Sequence, residues 1–376
     1  MDPSIRLGRL FGIEVGLNWS LVFIFALVTW TLATNILPID APGYAPLLYW
    51  VIGAIGAVLF YACLLAHEFS HALVARSHGV KVAGITLWLF GGVSRLDGEP
   101  ASARSEALIA GVGPLTSLVV AAIAFGIALS TQANALISDL FSYLTFVNLA
   151  LGLFNLVPAF PLDGGRLLSS FLWWRSGTRQ RGVHNAVRIG RVFAYLMIGA
   201  GVIGLFFGEV VNGIWIAILG WFLLSAGSAE EAGTNIRTLL RSVPVSAAMT
   251  SPVVTLPDWV TVDQFLESIA PNHSFTTYPV HDASGALTGV VRLADLVRLP
   301  PADRSSKHLH DVARPIADVP VTTPREDLSA LIQRIGPTID QRVLVFDGGA
   351  LVGILSPADV ARILTVRQAA AGAKAS

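Results

Sequence analysis

Long apolar stretches separate the charged residues in the first 240 positions of the chain. Six of these stretches contain no Asp, Glu, Lys or Arg: 15–39, 41–66, 107–138, 140–162, 192–208 and 210–229. A helix that crosses the hydrocarbon core of a membrane needs about 20 apolar residues. The pattern therefore predicts six transmembrane helices, near 18–36, 48–76, 107–130, 139–158, 191–208 and 211–228.

The segment between the second and third helices has a different pattern. From Lys81 onward, residues that favour β structure surround Gly91 and Gly92, and charged residues follow. Non-helical backbone at membrane depth is tolerated only where protein satisfies its hydrogen bonds. We therefore expect a membrane-dipping β segment here, a strand or hairpin entering from the cytoplasmic side, rather than a seventh span.

The last third of the chain contains an internal repeat. Two copies of about 60 residues each lie between residues 243 and 366, and each reads as strand, amphipathic helix, strand, glycine turn, strand and helix. The glycine turns separate apolar runs in the way a β-hairpin requires. The predicted domains are a six-helix membrane domain over 1–235 and two α/β repeats over 243–300 and 308–367.

Composition supports this division. The chain has 376 residues, of which 53% are apolar and 13% charged, and its formal net charge is zero. Half of the charged residues fall in positions 1–240, about 10% of that part, and half in 241–376, about 18%. These values exclude a purely soluble enzyme and a disordered protein, and the lack of a basic excess argues against a nucleic-acid partner.

Basic residues alternate between successive loops. The segment before the first helix and every second loop carry Arg or Lys, and the intervening loops carry none. By the positive-inside rule, both termini and the repeat lie in the cytoplasm. The preference for Arg over Lys is typical of a GC-rich microbial genome, so we expect a multi-pass protein of a prokaryotic cell membrane.

The second helix contains ionisable residues at membrane depth, where they are costly and point to function. In the sequence His67-Glu68-Phe69-Ser70-His71, the two histidines are four residues apart and lie on one helix face. Two imidazoles with this spacing can bind one metal ion, and Glu68 beside them can act on water. Two packing histidines and a buried acid are the structural alternative.

A third ligand is available after the fourth helix. Pro158 and Pro161 end the helix, which frees Asp163 to point inward. Alternatively, Asp163 begins a cytoplasmic turn and pairs with Arg166. The histidines precede Arg76 by five and nine residues, about 7–14 Å along a helix, so all three groups lie at a similar depth on the cytoplasmic side.

These motifs resemble those of the site-2 proteases, which are intramembrane zinc metalloproteases. The resemblance covers residues 1–230 and rests on HEFSH (67–71), NLVPAFPLDGG (155–165), GGVSRL (91–96) and AGVGP (110–114). It implies that one Zn²⁺ is bound by three ligands, His67, His71 and Asp163.

The same resemblance assigns three further roles. Glu68 corresponds to the general base. Asn155 corresponds to a residue that holds the substrate or the developing oxyanion, and the alternative is a polar end-cap of the fourth helix. The segment around Gly91 and Gly92 corresponds to a β segment that guides the substrate.

The repeat resembles a tandem pair of cystathionine-β-synthase-type (CBS) domains, which bind ATP, ADP or AMP between two copies. The second copy has the expected motif in full, as Gly353, Ser356 and Asp359. In the first copy Arg292 replaces the hydroxyl residue before Asp295, so one of the two nucleotide sites is in doubt, unless the arginine meets a phosphate. Alternatively, Ser356 and Asp359 only open the last helix as an N-cap and a first-turn acid.

Together these features predict an enzyme, a zinc metalloendopeptidase that cleaves the transmembrane segment of membrane-anchored protein substrates and is modulated by nucleotide. A CBS-regulated ion transporter or channel is the first alternative, but charges at several depths are absent from the helices. An inactive membrane scaffold is the second, and the intact Glu68 argues against it. A homodimer through the membrane helices or the CBS pair stays open.

Overall fold

The fold consists of a helical membrane unit followed by an α/β unit. The computed structural model describes residues 4–88, 91–273, 275–335 and 342–373, and it divides into two compact units, Met1–Asn235 and Ile236–Ser376. Each unit is described by itself below.

The first unit contains six helices long and apolar enough to cross a membrane, so the predicted fold class is confirmed for the described residues. Only 17–39% of the most apolar window of each helix is buried inside the protein, although these windows are strongly apolar. The elements in chain order are β1 (Ile5–Leu10), β2 (Ile13–Leu17), α1 (Ser20–Thr31) with a π-helical turn leading into α2 (Leu37–Asp40), α3 (Pro46–Ser77), β3 (Lys81–Trp88), β4 (Gly91–Asp97), α4 (Ala103–Ser130), α5 (Ala135–Asn155), α6 (Asp163–Ser176), α7 (Arg179–Phe206) and α8 (Val210–Leu240).

The predicted β segment forms a hairpin within a larger sheet. Strands β3 and β4 are antiparallel, and the strand order is β1-β2-β3-β4. Strands β1 and β2 form a second hairpin, which was not predicted. Ile13, Val15 and Leu17 alternate with other residues after the Phe11-Gly12 turn, and this period of two is the signal that could have identified it.

Apolar packing holds the sheet against α3. Ile13 and Val15 of β2 and Ile85 of β3 are buried in one cluster with Leu64 and Phe69 of α3. This cluster surrounds the helical turn that carries His67 and Glu68. The sheet therefore has a fixed position beside the candidate chemistry.

The break between α5 and α6 determines the position of Asp163. The helix α5 ends at Asn155, and Asp163 is the first residue of α6. Gly164 follows directly, and a Cβ atom there would collide with the carbonyl oxygens of Leu156 and Val157. Because glycine has no side chain, the start of α6 can pack on the preceding loop.

The second unit consists of two similar halves, as the repeat predicts. Its elements are α9 (Val245–Ala248), β5 (Leu256–Pro257), α10 (Val262–Gln264), β6 (Thr277–His281), β7 (Leu287–Arg292), α11 (Leu293–Val297), α12 (Pro301–Arg304), α13 (Leu309–Val312), β8 (Arg314–Pro315), β9 (Val321–Thr322), α14 (Leu328–Ile335), β10 (Val343–Asp347), β11 (Ala350–Leu355) and α15 (Pro357–Ala373).

Each half contributes a short strand segment to the other. The first sheet has the order β5-β6-β7-β8, so β8 leaves the second half to join it. In return, Thr250 of the first half bridges to Ile354 of β11 in the second sheet. Each sheet packs on its own buried cluster, and both clusters contain residues of both halves, so the exchange joins the two into one unit.

Candidate metal centre

Three predicted ligands meet in one place. Nε2 of His67 lies 3.2 Å from Nε2 of His71, and Oδ2 of Asp163 lies 3.3 Å and 3.2 Å from these two nitrogens. The side chain of His67 is only 3% exposed and that of Asp163 is 14% exposed. The structure therefore brings Asp163 inward instead of pairing it with Arg166.

The triangle of donor atoms fits a zinc ion. Zn–N and Zn–O bonds are about 2.0–2.1 Å, so neighbouring ligand atoms around a tetrahedral ion lie about 3.3 Å apart. When both Nε2 atoms are unprotonated, their lone pairs and the carboxylate oxygen repel one another at the observed distances, and a cation among them relieves this repulsion. Two His and one acidic residue also match the donor set of catalytic zinc sites, which keep a fourth position open.

Helix α4 orients both imidazole rings. Nδ1 of His71 lies 2.6 Å from the carbonyl oxygen of Ile109, which can only accept, so Nδ1 carries the proton and Nε2 presents its lone pair. Nδ1 of His67 lies 2.9 Å from Oγ of Ser117, which is 1% exposed. Ile109 and Ser117 were not predicted from the sequence. Ile109 lies 38 residues after His71 and Ser117 lies 50 residues after His67, and no local pattern indicates contacts between residues so far apart.

Gly113 lets α4 approach the histidines this closely. A Cβ atom on Gly113 would lie 2.7 Å from Nε2 of His67 and still closer to Nε2 of His71. No real Cβ occupies such a position, so only glycine is accommodated here. Gly113 belongs to the AGVGP segment (110–114), which resembles the family motif but for which the sequence predicted no role.

Glu68 lies against the β segment. A Cβ atom on Gly92 would lie 2.5 Å from Cδ and 2.9 Å from Oε1 of Glu68, so the strand backbone passes directly over the carboxylate. Gly91 precedes it with a φ of +128° and an open Cα face. Among the described residues β4 pairs only with β3, so β4 is an edge strand of the sheet.

Asn155 is the last residue of α5. Its side-chain nitrogen donates to the carbonyl oxygen of Leu151 at 3.0 Å, and the residue is half-buried. This bond ties the side chain to the preceding turn of its own helix, and a role of Asn155 in holding the substrate stays a prediction. An amide nitrogen has two hydrogens, so one donor is left for another acceptor.

The nucleotide-binding motif predicted in the second copy of the repeat lines a cavity. Ser356 and Asp359 contribute to a cavity of about 360 Å³ together with Thr250, Val254 and Phe275. The two also cap α15, since Asp359 accepts from the backbone nitrogen of Ser356 at 2.9 Å and from its hydroxyl at 2.6 Å.

The remaining motif residues occupy different surroundings. Gly353 makes room for Met249, whose Cγ would lie 2.9 Å from a Cβ atom at that position. In the first copy, Asp295 accepts from Nε of Arg292 at 2.6 Å and lines a smaller pocket of about 80 Å³. Arg292, which stands where the motif has Ser or Thr, is thus paired with Asp295 of the same motif.

A second group of ligand atoms lies on the surface of the same unit. Atoms of His308, His310 and Asp311 come within 4.8 Å of one another. The Asp311 carboxylate accepts from the backbone nitrogen of His308 at 2.9 Å, and His310 contacts the carbonyl oxygen of Asp258. These bonds cap a short helix, so we assign no metal site there.

Comparison with known proteins agrees with this geometry. The model of peptidase family M50 matches residues 55–136 and 127–197. Rip3 of Mycobacterium tuberculosis, named as a zinc metalloprotease, is 42% identical over 371 residues, which cover 97% of this chain and 94% of that protein. The chain belongs to peptidase family M50, the site-2 protease family. It is therefore a zinc metalloprotease with a multi-pass membrane unit, which confirms the predicted class of enzyme.

Solved structures are similar to each part of this family M50 protein. The site-2 protease from Methanocaldococcus jannaschii matches with a TM-score of 0.40 and 28% identity, covering 60% of this chain and 94% of that chain. The CBS domain of the bacterial CNNM/CorC family Mg²⁺ transporter matches with a TM-score of 0.31 and 21% identity, covering 36% of this chain and 82% of that one.

The contact between Ser117 and His67 leads to a prediction. Replacing Ser117 with Ala leaves a buried N–H without an acceptor and frees the ring to turn, so zinc affinity falls about 10–100-fold. Zinc affinity is measured by competition with a chelator. The control is Thr116→Val, which removes a hydroxyl that donates to the carbonyl oxygen of Val112 in its own helix instead of contacting a histidine. Equal zinc affinity in the two variants would contradict the role given to Ser117.

Proposed function

We propose that this protein hydrolyses a peptide bond in the transmembrane segment of membrane-anchored protein substrates, as in regulated intramembrane proteolysis. His67, His71 and Asp163 hold one Zn²⁺, and Glu68 is the general base. The observation that carries the proposal is the triangle of three ligand atoms, 3.2–3.3 Å apart, beside a carboxylate in a membrane-spanning helix.

The chain's own residues divide the reaction between them. Zinc bound at the triangle supplies Lewis-acid activation of the scissile carbonyl and of water. Glu68 accepts a proton from the attacking water and later donates it to the leaving amine. Asn155 directs its second amide hydrogen at the substrate or at the developing oxyanion.

The β segment presents the substrate. A helix keeps its carbonyl groups in internal hydrogen bonds, so the substrate must unwind before it is cut. The free edge of β4 offers backbone partners to an extended chain. Because Gly91 and Gly92 lack side chains, this chain can lie close to Glu68.

The orientation and domain boundaries complete the proposal. Both termini and the CBS pair lie in the cytoplasm, because every second loop is basic. The protease domain occupies 1–235, and the CBS domains occupy 243–300 and 308–367. Water then reaches the site from the cytoplasmic side, where the ligands lie at shallow depth.

Metal removal tests the enzymatic part of the proposal. The full chain in detergent is incubated with a labelled single-span model protein, and cleavage is followed on gels. We expect a chelator to abolish cleavage and added Zn²⁺ to restore it. Asp163→Asn keeps the shape and removes the charge of a direct ligand, so it is expected to weaken zinc binding by more than the roughly 10–100-fold lost when only a ligand's hydrogen-bond partner is removed. Undiminished cleavage by a zinc-free sample would refute the proposal.

The CBS pair binds an adenine nucleotide and modulates the protease. The cavity of about 360 Å³ falls within the size range of small-molecule sites and combines apolar walls with the hydroxyl and carboxylate of Ser356 and Asp359. Adenine and ribose require this combination of an apolar slot and polar contacts.

Calorimetry on the full chain tests nucleotide binding. ATP, ADP or AMP is expected to bind, and Ser356→Ala is expected to weaken binding about 10-fold, since a hydrogen bond to the ligand is lost. Thr261→Ala is the control, because Thr261 also caps a helix but lies outside the cavity. Absence of heat with all three nucleotides would leave the CBS pair with a structural role only.

A further inference from the structure

A small pocket rich in arginine lies beside the larger cavity of the CBS pair. It measures about 80 Å³, and Arg292, Arg314 and Arg342 contribute to its wall. Asp295 is the one acid that lines it. The pocket is too small for a nucleoside, but its charge suits a compact anion.

Two of the three guanidinium groups are not neutralised by the described part of the chain. Arg292 is paired with Asp295, with 2.6 Å between Nε and Oδ2. Arg342 donates to the hydroxyl of Thr276 and has no acidic partner among the described residues. The side chain of Arg314 also lines the pocket, and it makes no hydrogen bond or ion pair with any described residue. Like charges gathered without counter-charges repel one another, and an anion among them relieves the repulsion.

The pocket and the cavity share part of their walls. Thr277 and Arg342 line both of them, so the two spaces meet at these side chains. One space is mainly apolar and carries Ser356 and Asp359, and the other is cationic. Arginine binds phosphate oxygens through charge-assisted hydrogen bonds, often in pairs.

We infer that the arginine pocket receives the terminal phosphates of a nucleotide whose nucleoside occupies the cavity, so that the CBS pair selects nucleotides with two or three phosphates over AMP. This inference rests on the nucleotide binding proposed above. The inference also explains the arginine in the motif of the first copy. Arg292 would line a phosphate subsite instead of a second nucleoside site.

Binding to the full chain in detergent tests this inference. Dissociation constants are measured by calorimetry at low salt for AMP, ADP, ATP and inorganic tripolyphosphate. ATP is expected to bind about 10-fold more tightly than AMP, with ADP between them, because charged hydrogen bonds to the added phosphates stabilise the complex. Arg314→Ala is expected to reduce the affinity for ATP about 5–10-fold and to leave the affinity for AMP within twofold.

A matched arginine provides the control. Arg298 is exposed in the first half, next to the helix that carries Asp295, and it contributes to neither space, so Arg298→Ala should leave every constant unchanged. Equal affinities for AMP and ATP, or equal effects of the two variants, would overturn the phosphate subsite and leave nucleotide binding intact. Arg314-dependent binding of tripolyphosphate without any nucleotide binding would support the anion pocket and refute the nucleotide proposal. Binding of none of the four ligands would refute both.

Discussion

Replacing Glu68 with Gln is expected to abolish peptide cleavage while zinc stays bound. The amide has nearly the shape of the carboxylate, but it cannot accept a proton from water or return one to the leaving amine. General acid–base catalysis alone contributes about 10²–10⁴-fold, so the rate should fall at least about 10²-fold. Cleavage of the labelled single-span protein and zinc content per chain are measured on the same preparation.

The zinc content separates this effect from damage to the metal centre. Glu68 is not one of the three ligand residues that form the triangle, so the variant should retain one zinc ion per chain. Glu209→Gln, which changes an exposed acid between α7 and α8 in the same way, should cleave at the normal rate. Cleavage by Glu68→Gln at the rate of the control would exclude the proposed mechanism and favour a scaffold or transport role.

The membrane spans and the histidine motif could be predicted from the sequence because both depend on local patterns. Charge-free windows locate helices regardless of tertiary contacts, since the bilayer imposes the length. The four-residue spacing of His67 and His71 places both side chains on one face of any helix. Even so, α7 begins at Arg179, well before its predicted start, because basic residues can extend a helix beyond the membrane.

Contacts between distant segments could not be predicted in the same way. Ser117 and Ile109 orient the histidines through a helix that follows 38–50 residues later, and nothing in their local pattern indicates a role. The β1–β2 hairpin could not be predicted from apolar windows, because its alternating run is short and partly polar. The position of Asp163 could be predicted only in part. Pro158 and Pro161 show that the helix ends, but they do not show where the carboxylate points.

In the α/β unit, the order of elements within each half follows from the repeat, but the exchange of strands does not. Arg314 begins β8 in the sheet of the first half, and this placement brings it beside Arg292. Sequence comparison of the two copies placed these arginines in separate domains. The arginine pocket exists only because the halves exchange segments.

Gly113→Ala is expected to eliminate zinc binding, although it adds a single methyl group and raises the intrinsic helix propensity by about 1 kcal/mol. The new Cβ would lie 2.7 Å from Nε2 of His67 and closer still to Nε2 of His71, so α4 must move away or the rings must turn. Either movement breaks the bonds to Ile109 and Ser117 and separates the three ligand atoms. We expect less than about a tenth of the normal zinc content per chain, since a misplaced ligand set loses its chelate geometry.

A glycine further along the same helix gives the matched control. A Cβ atom on Gly126 meets no atom within 4 Å, so Gly126→Ala makes the same chemical change without a collision. Zinc content and cleavage should then stay normal for Gly126→Ala and be lost for Gly113→Ala, while circular dichroism shows equal helix content in both. Because the helix propensity changes equally, the difference between the variants measures the close approach of α4 to the histidines. Normal zinc content in Gly113→Ala would show that the ligand triangle does not depend on that approach.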